Sequence, residues 1–377
     1  MKRTLALCAL LLIVAACAPA EQQAAPEVAP FKIGFVGPLS GPNAWIGNLM
    51  IPAAQIAIDE INAAGGIDGR RIVAIIEDAG DSAKASTAVN KLIGQDGVDM
   101  VYAVTTPVVA AASAVAEQNQ VPLFGFTAVS TFAKKNTWVF SDLREMTKEC
   151  SLLAAQALED GDKKVAFLGN DADFSVECLD VLKKEYVAGG GTIVATENKN
   201  ANDPDARTPI TKIKAAKPDA MFLVCWPPDC NLIYKQMLEL DYAPQLYLPI
   251  GLALPANPGA LKGIDKDRIL EEAYAGDQMA NPEDPTPELA AFMQKLRARL
   301  GREPEHITDP ATVYDDIYEI AIAAAKCEPL TKECLRDRLA ETDYVGAAGP
   351  VAFEGRHYTS RPSRVVHYEN GTWVGVN

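Results

Sequence analysis

Two sets of hydroxyls carry the chemistry that this sequence offers most plainly. Thr105 and Thr106 follow the apolar run 98–103, VDMVYA, and Thr127 and Ser130 follow the run 121–126, VPLFGF. Each run suits a buried parallel strand. The alanine-rich stretch between them, to about Asn119, suits a helix with Pro107 in its first turn, where a missing N–H loses no partner. In an open α/β sheet a ligand sits outside the carboxyl ends of the strands. A helix N-terminus there offers free N–H groups and a partial positive charge to an anion. The expected chemistry is therefore recognition: the carboxylate of a small ligand held by the loops at Thr105–Thr106 and Thr127–Ser130. The competing reading is that these hydroxyls only cap helices and turns.

Catalytic alternatives find little support. The chain has no G-x-S-x-G elbow, P-loop, H-E-x-x-H or G-x-G-x-x-G. Glu77 and Asp78 are adjacent on a strand, point to opposite faces and do not share a substrate easily. The three histidines, His306, His357 and His367, lack paired ligand spacing, and no Cys-x-x-Cys occurs, so neither metal nor cofactor is expected. The net charge of −15, with no Lys/Arg stripe, argues against nucleic acid as a partner.

The elements that must position the hydroxyls form two alternating series. The first comprises strands at 31–40 and 70–78, a helix over 48–64 stopped by Gly65-Gly66, a helix from Ser82, the two runs above and an extended 138–141. The second has helices over 148–160, 174–188, 207–216 and 229–240 alternating with strands over 164–169, 191–196, 219–225 and 245–250. Such βαβα order implies parallel sheets with helices on both faces. Helices at 286–301, 309–327 and 331–341 follow, with the strand 273–278 expected to join the first series. Tail strands at 350–354, 363–369 and 372–376 are expected to complete the second.

Residues 1–16 read as an export signal, with Lys2 and Arg3 ahead of an apolar stretch too short to span a bilayer. The sequence Val14-Ala15-Ala16-Cys17 resembles a bacterial lipoprotein cleavage box, so Cys17 is the expected lipidation site; cleavage after Ala20 is the alternative. Residues 17–30 are then a Pro/Ala-rich tether. Eight cysteines less Cys8 and Cys17 leave an even number in an exported chain, so disulfides are expected. Cys225 with Cys230 and Cys327 with Cys334 are the local pairs, leaving Cys150 and Cys178, although other pairings exist.

From Phe31 onward the chain resembles the leucine/isoleucine/valine-binding protein family, the type I periplasmic binding proteins of ABC importers. The residues carrying the likeness are Gly37-Pro38-Leu39-Ser40-Gly41, the segment Ala57-Ile58-Asp59-Glu60-Ile61-Asn62-Ala63-Ala64-Gly65-Gly66-Ile67-Asp68-Gly69, and Glu77-Asp78. The resemblance implies two doubly wound parallel-sheet lobes joined by a three-segment hinge: residues 31–142 plus 253–345, and 143–252 plus 346–377. It implies crossings near 140–145, 250–255 and 343–350, and closure on a ligand without chemistry on it. It places Thr105, Thr106, Thr127 and the Ala128–Ser130 loop on the ligand carboxylate. Phe174 and Trp226 become the second lobe's aromatic contacts, and Trp45 a candidate from the first. Two departures follow. Where amino-acid binders of the family carry an acid for the ligand's ammonium, this chain has Ile250, so Asp171, Asp173, Asp229 or Asp277 must substitute, or the ligand is an apolar or aromatic acid, or an amide. The family's lobe-one cysteine pair falls on Gly80 and Thr105. The implied role is a monomeric, membrane-anchored periplasmic or cell-surface binding protein serving ABC permease subunits. The alternative is a sensor for a small amide or organic acid.

Overall fold

The computed structural model describes residues 28–41, 43–200, 203–225, 227–249, 263–278, 285–304, 307–359, 361 and 363–376. Cys17, Trp226, Ile250 and the segments 1–16 and 17–27 lie outside them. None of the described helices is long and apolar enough to cross a membrane.

The first series forms a five-stranded parallel sheet. Its strands are β1 (Phe31–Gly37), β2 (Ile72–Asp78), β3 (Met100–Val104), β4 (Leu123–Phe126) and β5 (Val139–Phe140), in the order β2-β1-β3-β4-β5. Between them come α1 (Ala44–Ala63), α2 (Ser82–Lys91), α3 (Thr106–Asn119) and α4 (Thr131–Lys135). The chain goes from β1 to β2 on one side and returns with β3 on the other. The switch point, where a ligand crevice forms, is therefore at the ends of β1 and β3. The helices α2 and α3 cover one face of this sheet through Ala85, Val89, Val108, Val109 and Ala112. The other face carries α1 and α11 (Thr308–Ala325), packed by Leu49, Met50, Ile317 and Ile320, with α10 (Pro287–Leu300) alongside.

The second sheet has seven strands in the order β14-β13-β10-β9-β8-β6-β7. They are β6 (Lys164–Gly169), β7 (Thr192–Asn198), β8 (Ala220–Leu223), β9 (Gln245–Leu248), β10 (Tyr274–Gln278), β13 (Ser363–Glu369) and β14 (Thr372–Gly375). The helices α5 (Met146–Glu159) and α6 (Asp173–Val181) lie on one face, and α7 (Arg207–Ala216) and α8 (Pro227–Glu239) on the other.

Two expectations are corrected. The strand at 273–278 does not join the first sheet: β10 pairs parallel with β9 and antiparallel with β13. Small residues explain the fit. Gly276 lies under α5, where a Cβ would come within 2.9 Å of the Glu149 carboxylate. The strand at 350–354 does not complete the second sheet. β12 (Gly349–Ala352) forms a hairpin with β11 (Asp343–Gly346), and Ala347, Ala348, Val351 and Phe353 pack into the first core. The last crossing therefore falls later than 343–350. Ser141 bridges Tyr358, and the Arg361 N–H donates to the Asp142 carbonyl at 3.1 Å, so two crossing segments run side by side.

Three disulfides, Cys150–Cys178, Cys225–Cys230 and Cys327–Cys334, join the cysteines, the last two as the local pairs and the first as the pair left over, with Cα atoms 5.5, 5.4 and 5.8 Å apart. The first ties α5 to α6 beneath the cleft.

Candidate functional site

The end of β3 sets the site's geometry. Thr105 has φ of 84°, in the left-handed region that a β-branched residue adopts only at a cost of about 1–3 kcal/mol. Such strain is retained where surrounding structure fixes the position. It lets the chain turn from β3 directly into α3, where Thr106 and Val108 keep N–H groups without intrahelical partners, Pro107 has no N–H and the Val109 N–H donates to the Thr105 carbonyl at 2.9 Å. Thr106 Oγ1 lies 3.0 Å from Thr127 Oγ1, and the Val129 N–H donates to the Thr127 hydroxyl at 3.2 Å. The two loops singled out in the sequence thus touch through their hydroxyls.

At the end of β1, Asp78 fastens the Gly37–Gly41 turn. Its carboxylate accepts from the Leu39 N–H at 2.8 Å and from the Ser40 hydroxyl. These hydrogen bonds, that of Ser40 foremost, hold the Asp78 carboxyl below its usual range. Glu77, one residue earlier, pairs with Lys91 instead, so the two acids act separately. The fastened turn leads into α1, which brings Trp45 to the same edge.

One cavity gathers these residues. It is narrow as the lobes stand here, with about 30 Å³ free for the centres of water molecules. Thr105, Thr106 and Thr127 supply hydroxyls, and Trp45, Ile46, Met50, Phe126, Leu143, Met146 and Phe174 supply apolar walls. Trp45 is in the first lobe and Phe174 in the second, so both lobes close on one space. The Trp45 indole N–H is buried without a hydrogen-bond partner. Ser130 is elsewhere: its hydroxyl donates to Glu145 at 2.6 Å and does not line the cavity.

Two charged lining residues escaped the sequence reading. Arg144 sits 3.0 Å from Asp309 of α11 and 3.3 Å from Glu149 of α5, all three buried. The guanidinium thus spans elements of both lobes beside the cavity. Nothing in the local pattern around Arg144 marks it as buried, because its partners come from distant segments. Of the acids weighed for a ligand's ammonium, Asp171 and Asp173 are exposed, and Asp229 pairs with the buried Lys199.

Behind the cavity, Arg361 is 1% exposed and binds Asp142 at 2.6 Å and Glu319 at 2.8 Å, with Asp315 and Asp316 at 3.6 and 3.5 Å. Tyr102, on β3, donates to Asp316. Asp142, Asp316 and Glu319 could be offered as metal ligands by their closeness, but the guanidinium already lies against all three. This cluster fixes the crossing segments to α11 and to the strand that ends at Thr105.

The described topology and the site agree with known proteins. A family model described as periplasmic binding protein matches residues 30–372. A Leu/Ile/Val-binding protein of Rhizobium johnstonii is 31% identical over 56% of this chain, and the match spans 59% of that relative's length. A substrate-binding protein of a branched-chain amino acid transporter from Streptococcus pneumoniae, solved with isoleucine, has a TM-score of 0.79 at 24% identity, covering 92% of this chain and 100% of that one. A solute-binding protein of an ABC transporter from R. palustris, solved with 4-hydroxybenzoate, has a TM-score of 0.77 at 17% identity, covering 93% and 96%. These likenesses establish the type I periplasmic binding fold. With its family model spanning both lobes and the hinge between them, the chain belongs to the periplasmic binding protein family.

Proposed function

We propose that this chain is the extracytoplasmic solute-binding component of an ABC importer of the branched-chain amino acid type. It holds a small carboxylate-bearing ligand by hinge closure and performs no chemistry on it. The observation that carries this reading is the cavity shared by both lobes, with the Thr106–Thr127 hydroxyl pair at the head of α3 and apolar walls around it. The ligand's carboxylate meets the hydroxyls and the N–H groups of α3, and its apolar body lies between Trp45 and Phe174. Among the described residues, the lobes are 31–142 with 285–359, and 143–249 with 263–278 and 361–376. The chain acts as a monomer, anchored through Cys17, and delivers its ligand to permease subunits.

The ligand is an acid without an α-amine. A buried ammonium needs a carboxylate. Among the described residues the cavity lining holds one, Asp309, and Arg144 already engages it. A second reading is an α-amino acid whose ammonium joins Asp309. It has one supporting observation: two carboxylates, Asp309 and Glu149, share the single guanidinium. Thermal unfolding against leucine, isoleucine and phenylalanine, beside the matching acids lacking the amine, separates the two. A ligand at about 100 times its dissociation constant adds about 2.7 kcal/mol to stability. Stabilisation by the amine-free acids alone is expected. Stabilisation by an amino acid alone moves the assignment to the second reading, and none by any carboxylate contradicts both.

A further inference from the structure

Where the loop after β4 meets the second lobe, one acid lies in a poor environment for a charge. Val129, beside Phe132, packs against Met146, Cys150, Phe174 and Cys178 of the second lobe. At this seam Glu145 accepts from Ser130 at 2.6 Å and pairs with Lys134 of α4 at 2.5 Å. Burial pushes the Glu145 carboxyl up, but the hydrogen bonds from Lys134 and Ser130 hold it below its usual range, so it stays ionised. Glu177, on α6 of the second lobe between Phe174 and Cys178 of that cluster, has its Oε2 buried without a hydrogen-bond partner. The charged groups acting on it are Glu145, just ahead of α5, Asp173 and Asp180 from its own helix, and Lys134 from the first lobe, whose ammonium is already paired with Glu145.

We propose that Glu177 couples cleft closure to proton uptake: bringing the lobes together buries its carboxyl beside Glu145, and the closed form takes a proton from solvent onto that carboxyl. One O–H bond forms and nothing else is consumed. The proposal rests on the two-lobed closing reading above and adds its regulation. Burial, then repulsion from Glu145 and Asp173, raises the carboxyl from the usual glutamate range to about 7 in the closed form. In the open form Glu177 is solvated and titrates as an ordinary glutamate. The group binds its proton more tightly when closed, so closure is favoured below that value and disfavoured above it. The closed-to-open ratio is expected to fall about tenfold between pH 6 and pH 8.

Small-angle X-ray scattering on the whole protein reads this without any ligand. The wild-type radius of gyration is expected to grow from pH 6 to pH 8, and Glu177→Gln is expected to stay compact at both. Equal growth in wild type and variant would keep closure but assign its pH dependence to other groups, which overturns the proposal. A wild-type radius constant across this range overturns it as well. Because no ligand is added, failure of the carboxylate assignment leaves this test unaffected.

Discussion

Replacing Arg361 by Met is expected to cost about 3–5 kcal/mol, the usual penalty for removing one partner from a buried ion network. Against a total of roughly 5–15 kcal/mol, that is a large fraction of the stability. Four carboxyls, Asp142, Asp315, Asp316 and Glu319, surround the guanidinium, and Asp315 also accepts from the N–H groups of Ala347 and Ala348 at 2.9 and 2.7 Å. Burial pushes Asp142, Asp316 and Glu319 above their usual range and raises Asp315 to about 6. Asp142 and Asp316 also hydrogen-bond to each other, which requires one of them to be protonated. The folded chain therefore holds these protons more tightly than the unfolded chain. The stability tied to Asp315 is full below the unfolded value, near pH 4, and is lost as pH rises through about 6. Without the guanidinium, ionising the cluster costs more still. The difference in melting temperature between wild type and Arg361→Met should thus be larger at pH 7.5 than at pH 5. A difference that is small and independent of pH would mean that the cluster does not hold the hinge.

The second large effect is on binding. Thr106→Val keeps shape and removes one hydroxyl. A hydrogen bond to a charged group is worth about 1.5–3 kcal/mol, so the dissociation constant for a stabilising carboxylate should rise roughly 10- to 100-fold. The fold should notice little: Thr127 still accepts from the Val129 N–H, and the lost Thr106–Thr127 bond is worth about 1 kcal/mol. Phe174→Ala should weaken binding and also destabilise the second lobe by about 3–5 kcal/mol, because Phe174 packs with Val129, Met146 and Cys178. Calorimetric titration with parallel melting curves distinguishes them. Unchanged affinity in Thr106→Val would remove the hydroxyl pair from the site.

The contrast between legible and illegible features follows from range. Thr105, Thr106 and Thr127 could be read because each directly follows an apolar run, and a strand end fixes where the next residue sits. The disulfides across five and seven residues are local for the same reason. Ser130 shares the loop with Thr127, but loop geometry turns its hydroxyl toward Glu145. Sheet membership of β10 depends on pairing with β13, some ninety residues on, and a run as short as Ala273–Gln278 carries no label for its partner. Arg144 and Arg361 are arginines that a pattern reading leaves on the surface. Their burial is set by Asp309, Glu149, Asp142 and Glu319, which only the folded chain assembles.

The central claim is that the cavity at the head of α3 recognises a carboxylate. Its most direct test is calorimetric titration with the best-binding acid and with the primary amide of the same acid. The amide keeps the shape and the apolar body and loses only the charge that α3 and the threonine hydroxyls would stabilise. Binding of the amide about 100-fold weaker than the acid is the expected result. An amide that binds as tightly as its acid would contradict the claim, leaving the fold and family in place and assigning the cavity to a neutral ligand.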